Sequence, residues 1–144
     1  MPQEKKCFSV RFPGSPRGVR RALLIIRAEI KSAEVDNDLL GRAETVLAEV
    51  LNNVVEHALD DKHPGLVEAK GEAVKTGWQF SVIDNGCPLP DGKIPGKALP
   101  RINTPLQDLP EGGFGWAMVH MLARDLTYQR RSGRNSLSFL IPFH

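Results

Sequence analysis

Glu49, Asn53 and His57 follow one another at four-residue intervals in Glu49-Val50-Leu51-Asn52-Asn53-Val54-Val55-Glu56-His57. On a helix, residues four apart lie near one face, each step rising about 6 Å. The three form a polar line in a segment otherwise rich in valine and leucine. Burying such groups without partners costs on the order of 1–3 kcal/mol each, so they are expected to face something polar. A carboxylate there is a candidate general base, and an amide oxygen a candidate ligand for a hard cation such as Mg2+. The line also fits the solvated edge of a helix. A zinc site is disfavoured: HExxH is absent, and one histidine with glutamate and asparagine is a poor ligand set.

Two further clusters could do chemistry. Asp84-Asn85-Gly86 stands at the end of a strand-like segment. Its carboxylate can accept a hydrogen bond from an exocyclic amine, and its glycine lets a flat ring approach the backbone. Asp-Asn-Gly is equally a common turn. Gly112-Gly113-Phe114-Gly115 opens a helical segment. Glycines at a helix N-terminus expose backbone N–H groups where the helix dipole is positive, so phosphate oxygens can bind there. GxGxxG and GxxxxGK[ST] are both absent, which argues against a Rossmann dinucleotide site and a P-loop.

The elements that must carry these clusters follow from periodicity. Phe8, Val10 and Phe12 alternate with Ser9 and Arg11, which predicts a strand over Cys7 to Pro13. Ser15 can cap a helix with Pro16 at its first position, running to about Ala33 on Val19, Leu23, Ile26 and Ile30. Its polar side carries Arg17, Arg20, Arg21 and Arg27, a solvated face or a partner surface. Asp36, Asn37 or Asp38 can start a second, well-buried helix through roughly Leu59. Strands are expected over Leu66–Val74 and Trp78–Ile83, joined at Lys75-Thr76-Gly77. A proline-rich stretch from Cys87 to Gly113 reads as one long loop of the kind that forms lids. A third helix is predicted from about Phe114 to Arg124. Closing strands over Leu126–Arg131 and Ser136–Pro142 would flank a turn at Ser132-Gly133-Arg134-Asn135. The order β-α-α-β-β-lid-α-β-β implies a two-layer α/β sandwich, with three helices on one face of a mixed, mostly antiparallel sheet.

Bulk properties bound the class. The chain has 144 residues, 41% of them hydrophobic and 25% charged, as expected for one soluble domain spanning 1–144. A formal charge of +2 does not argue for nucleic acid as the main partner. The charged N-terminus has no apolar stretch behind it, and no apolar run is long enough to cross a bilayer, so a cytoplasmic protein is expected. Cys7 and Cys87 lack CxxC spacing and read as reduced thiols.

Taken in order, Glu49-x3-Asn53-x3-His57, Asp84-Asn85-Gly86, a lid and Gly112-Gly113-Phe114-Gly115 resemble the N, G1 and G2 boxes of the GHKL ATPase superfamily. Within it the chain is similar to bacterial anti-sigma-factor serine/threonine kinases. Met118 to Asp125, Tyr128-Gln129-Arg130-Arg131 and Asn135-Ser136-Leu137 fit that family's ending, so the resemblance covers nearly the whole chain. It implies a Bergerat-type fold binding ATP and Mg2+. Asn53 would hold Mg2+ and Glu49 would be the catalytic base. Asp84 would contact the adenine amino group, with Gly86 beneath the ring. Gly112, Gly113, Phe114 and Gly115 would form the phosphate side. Ser136 stands where the family usually has threonine and would support the adenine contact. The lid would run from Pro88 to Glu111, with Lys93, Lys97 and Arg101 as phosphate clamps. Trp116 replaces a smaller aliphatic residue, a departure that bears on lid packing more than on nucleotide binding. The resemblance further implies a sigma factor and an anti-sigma antagonist as partners, no direct nucleic acid or membrane contact, and a homodimer. A non-catalytic ATP-binding module that sequesters a partner is the alternative. The catalytic half of a histidine kinase fits less well, since no helical hairpin with a phosphoacceptor histidine precedes it.

Overall fold

Alternating and helical periodicities each need an apolar partner surface, and here they cover one another in two layers. The computed structural model describes residues 6–58, 65–96 and 113–144. The elements are β1 (Cys7–Pro13), α1 (Pro16–Ser32), α2 (Asn37–Asn53), β2 (Leu66–Val74), β3 (Gly77–Asp84), α3 (Gly113–Leu122), β4 (Arg124–Arg131) and β5 (Arg134–Pro142). The five strands form one open sheet in the order β1-β2-β3-β5-β4. All four pairings are antiparallel, so the sheet is not mixed. Each neighbouring pair is joined by a hairpin or by a connection that reverses direction, which leaves no parallel crossover to make.

Both long helices begin where their caps require. Ser15 accepts a hydrogen bond from the Gly18 amide at 3.0 Å, with Pro16 in the first turn. Asp36 accepts one from the Leu39 amide at 2.7 Å. Removing such a cap costs about 1 kcal/mol. Helix α2 ends earlier than the apolar pattern suggests. At Val54–Ala58 the chain opens into a π-helical turn. Val54 and Val55 are both β-branched and crowd the α-helical pitch there, and such turns recur at functional sites.

The core lies between the helices and the inward face of the sheet. From β1, β3 and β5 come Phe8, Trp78, Phe80 and Phe139, whose rings contact one another at centroid separations of 5.5–6.2 Å. Ile26 and Ile30 of α1 and Leu39, Val46, Leu47, Val50 and Leu51 of α2 are buried against them. Gly71 passes directly under this cluster: a Cβ there would stand 2.5 Å from Phe8 Cε1 and 3.0 Å from Phe80 Cδ1. Phe80, at 0% exposure, sits at the middle of the cluster. Phe80→Ala should lower unfolding free energy by about 3–5 kcal/mol, measured by urea denaturation; a loss below about 1 kcal/mol would contradict this packing.

The outward face of the sheet is polar. Arg11 donates to Glu68 at 2.6 Å and Lys70 approaches it at 3.2 Å, and the Arg11 hydrogen bond chiefly holds the Glu68 carboxyl below the usual range.

Turn chemistry decides the register. Ser132 and Gly133 both have positive φ, 54° and 77°, as a two-residue type I′ hairpin requires. Arg134 and Asn135, expected in that turn, are therefore the first residues of β5. This places Asn135 opposite Asp84 and Ser136 opposite Ile83. At the other end of the hairpin, β4 starts at Arg124 rather than Leu126, with Asp125 at φ 56° inside a register shift. Helix α3 correspondingly stops at Leu122.

Candidate functional site

The inward ends of α2, β3, β5 and β4 and the loop after β3 enclose a cavity of about 390 Å³. That is within the range of small-ligand sites. Its walls are Val50 and Val54 from the α2 segment, Val82 from β3 and Leu137 from β5. Cys87, Pro88, Leu89, Pro90 and Pro95 close it from the loop, and Trp116 of α3 reaches it as well. The polar groups that line it are few: Asn53, Asp84, Tyr128 and Asn135. An apolar slot with a handful of placed donors and acceptors suits a flat, partly polar ring.

Asp84 and Asn135 are the two buried polar residues among those described, each 5% exposed. Asp84 Oδ1 accepts from the Gly86 amide at 2.8 Å, closing an Asx turn, and from Asn135 Nδ2 at 2.9 Å. Both bonds fall on one oxygen, which leaves Oδ2 as an acceptor for a ligand amine. Asn135 Nδ2 also donates to the carbonyls of Cys87, at 2.8 Å, and Gly86, at 3.3 Å. Its Oδ1 accepts from the Tyr128 hydroxyl at 2.5 Å and from Arg130 at 2.8 Å. Arg130 additionally donates to the Gly86 carbonyl at 2.9 Å, and Tyr128 accepts from the Leu89 amide at 3.1 Å. Three side chains of β4 and β5 thus hold the backbone of the loop 86–89.

Ser136 takes no part in this network. Side chains alternate along a strand, and Asn135, Leu137 and Phe139 point inward while Ser136 shares the outward face with Ser138, whose hydroxyl lies 3.2 Å from that of Ser81. The side chain beside Asp84 is that of Asn135. Residue spacing hides this, because the turn closes at Ser132-Gly133 and so puts Asn135, expected in the turn, on the strand itself.

On α2, Glu49 and Asn53 are half-buried. Asn53 lines the cavity, and its amide nitrogen is buried with no partner. Glu49 packs on α3: a Cβ built on Gly115 would collide with Glu49 Oε2 and stand 3.2 Å from Cδ. The absence of a side chain at Gly115 is what lets the carboxylate sit beside the first turn of α3. That turn, beginning at Gly113, presents amides without intrahelical partners. The structure therefore brings Asn53 and Asp84 to one cavity, with Gly86 bonded to Asp84 and Glu49 set against Gly115 one helical turn from Asn53; Gly113 opens the helix that carries Gly115. Gly112, Lys97 and Arg101 lie outside the described residues, as do the side chains of His57 and Phe114. Lys93 is exposed just after a short 3-10 turn at Pro90–Gly92. The loop is fastened on its far side by His120 of α3, whose Nε2 donates to the Pro95 carbonyl at 2.7 Å.

The sequence pattern of the histidine kinase-like ATPase domain matches residues 12–141. The chain belongs to that family. A serine/threonine-protein kinase of Bordetella bronchiseptica, BtrW, is 32% identical over 91 residues, which are 62% of this chain and 61% of the relative. The RsbU and RsbW domains of a Mycobacterium tuberculosis protein superpose with a TM-score of 0.65 at 14% identity, over 92% of this chain and 31% of theirs. A blue-light activated histidine kinase of Erythrobacter litoralis gives 0.52 at 21% identity, over 76% and 32%. The chain thus spans about three fifths of the curated relative and about a third of each solved chain. The shared fold is the two-layer sandwich described above.

ATP and Mg2+ are the ligands such ATPase domains take, and the residues present fit them. Rotating the unpartnered Asn53 amide by a half turn offers an oxygen where the nitrogen stands, and Mg2+ commonly takes one or two protein oxygens alongside phosphates and water. No helix among the described residues is long and apolar enough to cross a membrane.

Proposed function

We propose that the chain is an ATP-dependent serine/threonine protein kinase that serves as an anti-sigma regulatory factor: it binds a sigma factor and phosphorylates the antagonist of that binding. The observation that carries the catalytic part is the Glu49 carboxylate seated against Gly115 at the start of α3, one helical turn from Asn53. A module that only binds nucleotide needs no carboxylate there. The name of the Bordetella relative and the likeness to an RsbW domain support the same reading.

In this reading the adenine enters the slot lined by Trp116 and donates an amino N–H hydrogen bond to Asp84 Oδ2. The phosphates lie toward the α3 N-terminus, whose amides offset the charge that develops on their oxygens. Mg2+ held by Asn53 would supply further neutralisation of phosphate charge. Glu49 takes the proton from a serine or threonine hydroxyl of the antagonist as its oxygen bonds to the γ-phosphorus. The bond to the bridging oxygen breaks and ADP leaves. The arginines of α1, Arg17, Arg20 and Arg21, are exposed and available for protein contacts. A homodimer in the cytoplasm completes the proposal.

The decisive assay incubates the chain with its cognate antagonist and γ-labelled ATP. Label on a serine or threonine of the antagonist is the expected result. ATP and partner binding by calorimetry without any transfer would instead support a non-catalytic switch that sequesters its partner.

A further inference from the structure

We infer that Asn135, held by Arg130 and Tyr128, is the positioning residue that makes the cavity select a 6-aminopurine nucleotide over a 6-oxopurine one. The inference rests on the nucleotide-binding reading above and concerns a residue to which that reading assigns nothing.

Hydrogen-bond capacity fixes the orientation of Asn135. A side-chain amide has two N–H donors and an oxygen with two lone pairs. Asn135 uses all of them: its nitrogen meets Asp84 Oδ1 and the Gly86 and Cys87 carbonyls, and its oxygen meets Tyr128 and Arg130. The amide therefore cannot turn over. Arg130 and Tyr128 present donors to its oxygen, and reversing it would set that oxygen against three acceptors. Fixed this way, Asn135 always presents an N–H to Asp84 Oδ1, beside the Gly86 amide. Both donors fall on Oδ1, which leaves the other carboxylate oxygen free to accept from a ligand.

An acceptor-only oxygen in a buried apolar slot discriminates between purines. The amino group at position 6 of adenine donates to it. The carbonyl at the same position of hypoxanthine places a second acceptor against it and leaves both unpaired, and sites built this way reject the mismatched analogue far more strongly than apolar pockets do. Arg130 reaches the site from the exposed edge strand, and its NH1 joins Asn135 to the Gly86 carbonyl, so it carries the arrangement without filling the core.

The test is calorimetric titration with ADP and with inosine diphosphate at pH 7.5 and 5.5, reading the ratio of the two dissociation constants so that titration of the phosphates cancels. The wild-type protein should prefer ADP by roughly 30-fold or more at both pH values. Asn135→Asp replaces the donor with an acceptor facing Asp84 Oδ1 and the two loop carbonyls. The charged and titratable groups around it are Asp84, Arg130, Tyr128 and Cys87. Its preference should fall to within about 3-fold at pH 7.5. It should climb back toward roughly 10-fold at pH 5.5, where two adjacent carboxyls share a proton that can donate. Arg130→Met keeps the apolar stem, leaves the core untouched and should reduce the preference by about 5-fold at both pH values. A merely structural role would weaken both nucleotides together and would not restore the ratio at low pH. Retention of the wild-type ratio by either folded variant, or an Asn135→Asp loss that is the same at both pH values, overturns the inference. Failure of the wild-type chain to bind either nucleotide overturns the nucleotide-binding reading itself, and is read from the first titration alone.

Discussion

Glu49→Ala should slow phosphoryl transfer to the antagonist by about 10²–10⁴-fold, the usual contribution of a positioned general base, while ATP affinity stays within about 3-fold. The split follows from position. Glu49 lies on the rim, packed on Gly115 of α3, and is not among the residues lining the cavity that would hold the base. Its removal takes away the proton acceptor and little of the binding surface. Glu49→Gln should behave alike, since it keeps the shape and loses only basicity. Single-turnover transfer of labelled phosphate, with calorimetry of ATP on the same variants, measures both halves. Undiminished transfer by Glu49→Ala would remove Glu49 from the mechanism. A parallel collapse of ATP binding would make it a nucleotide ligand instead.

Gly115→Ala should reduce transfer by about 100-fold without weakening the fold. The added methyl lands on the Glu49 carboxylate, which is the free end of a flexible side chain, so the carboxylate moves and the helix stays. Alanine is in fact the better helix residue, by about 1 kcal/mol. Displacing a reacting group by about 1 Å is enough for a loss of this size. The double variant separates an effect through Glu49 from a direct one. In a Glu49→Ala background the methyl meets nothing of Glu49 beyond Cβ, so Gly115→Ala should then cost almost nothing. Equal losses in both backgrounds would mean that the glycine matters to the phosphates directly rather than through Glu49.

Much of this architecture is legible in residue order. The strand over Cys7–Pro13, the Ser15 cap with Pro16 behind it, the hairpin after Val74 and the helix beginning near Gly113 all follow from local periodicity and turn chemistry, and the structure has them. Such features depend on neighbours within a few residues, where propensity and capping act. The clusters around Glu49, Asp84 and Gly112 were legible for another reason. Unusual polar residues in an apolar setting stand out even when the partner they need is unknown.

Local patterning is therefore enough to set the elements, their order, the two-layer class and the three polar clusters. Which of those side chains meet depends on packing between segments far apart in the chain. A two-residue type I′ turn at Ser132-Gly133 brings Asn135, and not Ser136, into register with Asp84, because one step along a strand reverses the face a side chain takes. The α2–α3 packing likewise sets Gly115 beneath the carboxylate of Glu49, 66 positions earlier in the chain by their numbering. Spacing can mark a glycine at a helix start, but only the approach of a second helix shows that a side chain there would displace the Glu49 carboxylate. The boxes were written in the chain; the contacts that join them were set by register and packing, which no local pattern encodes.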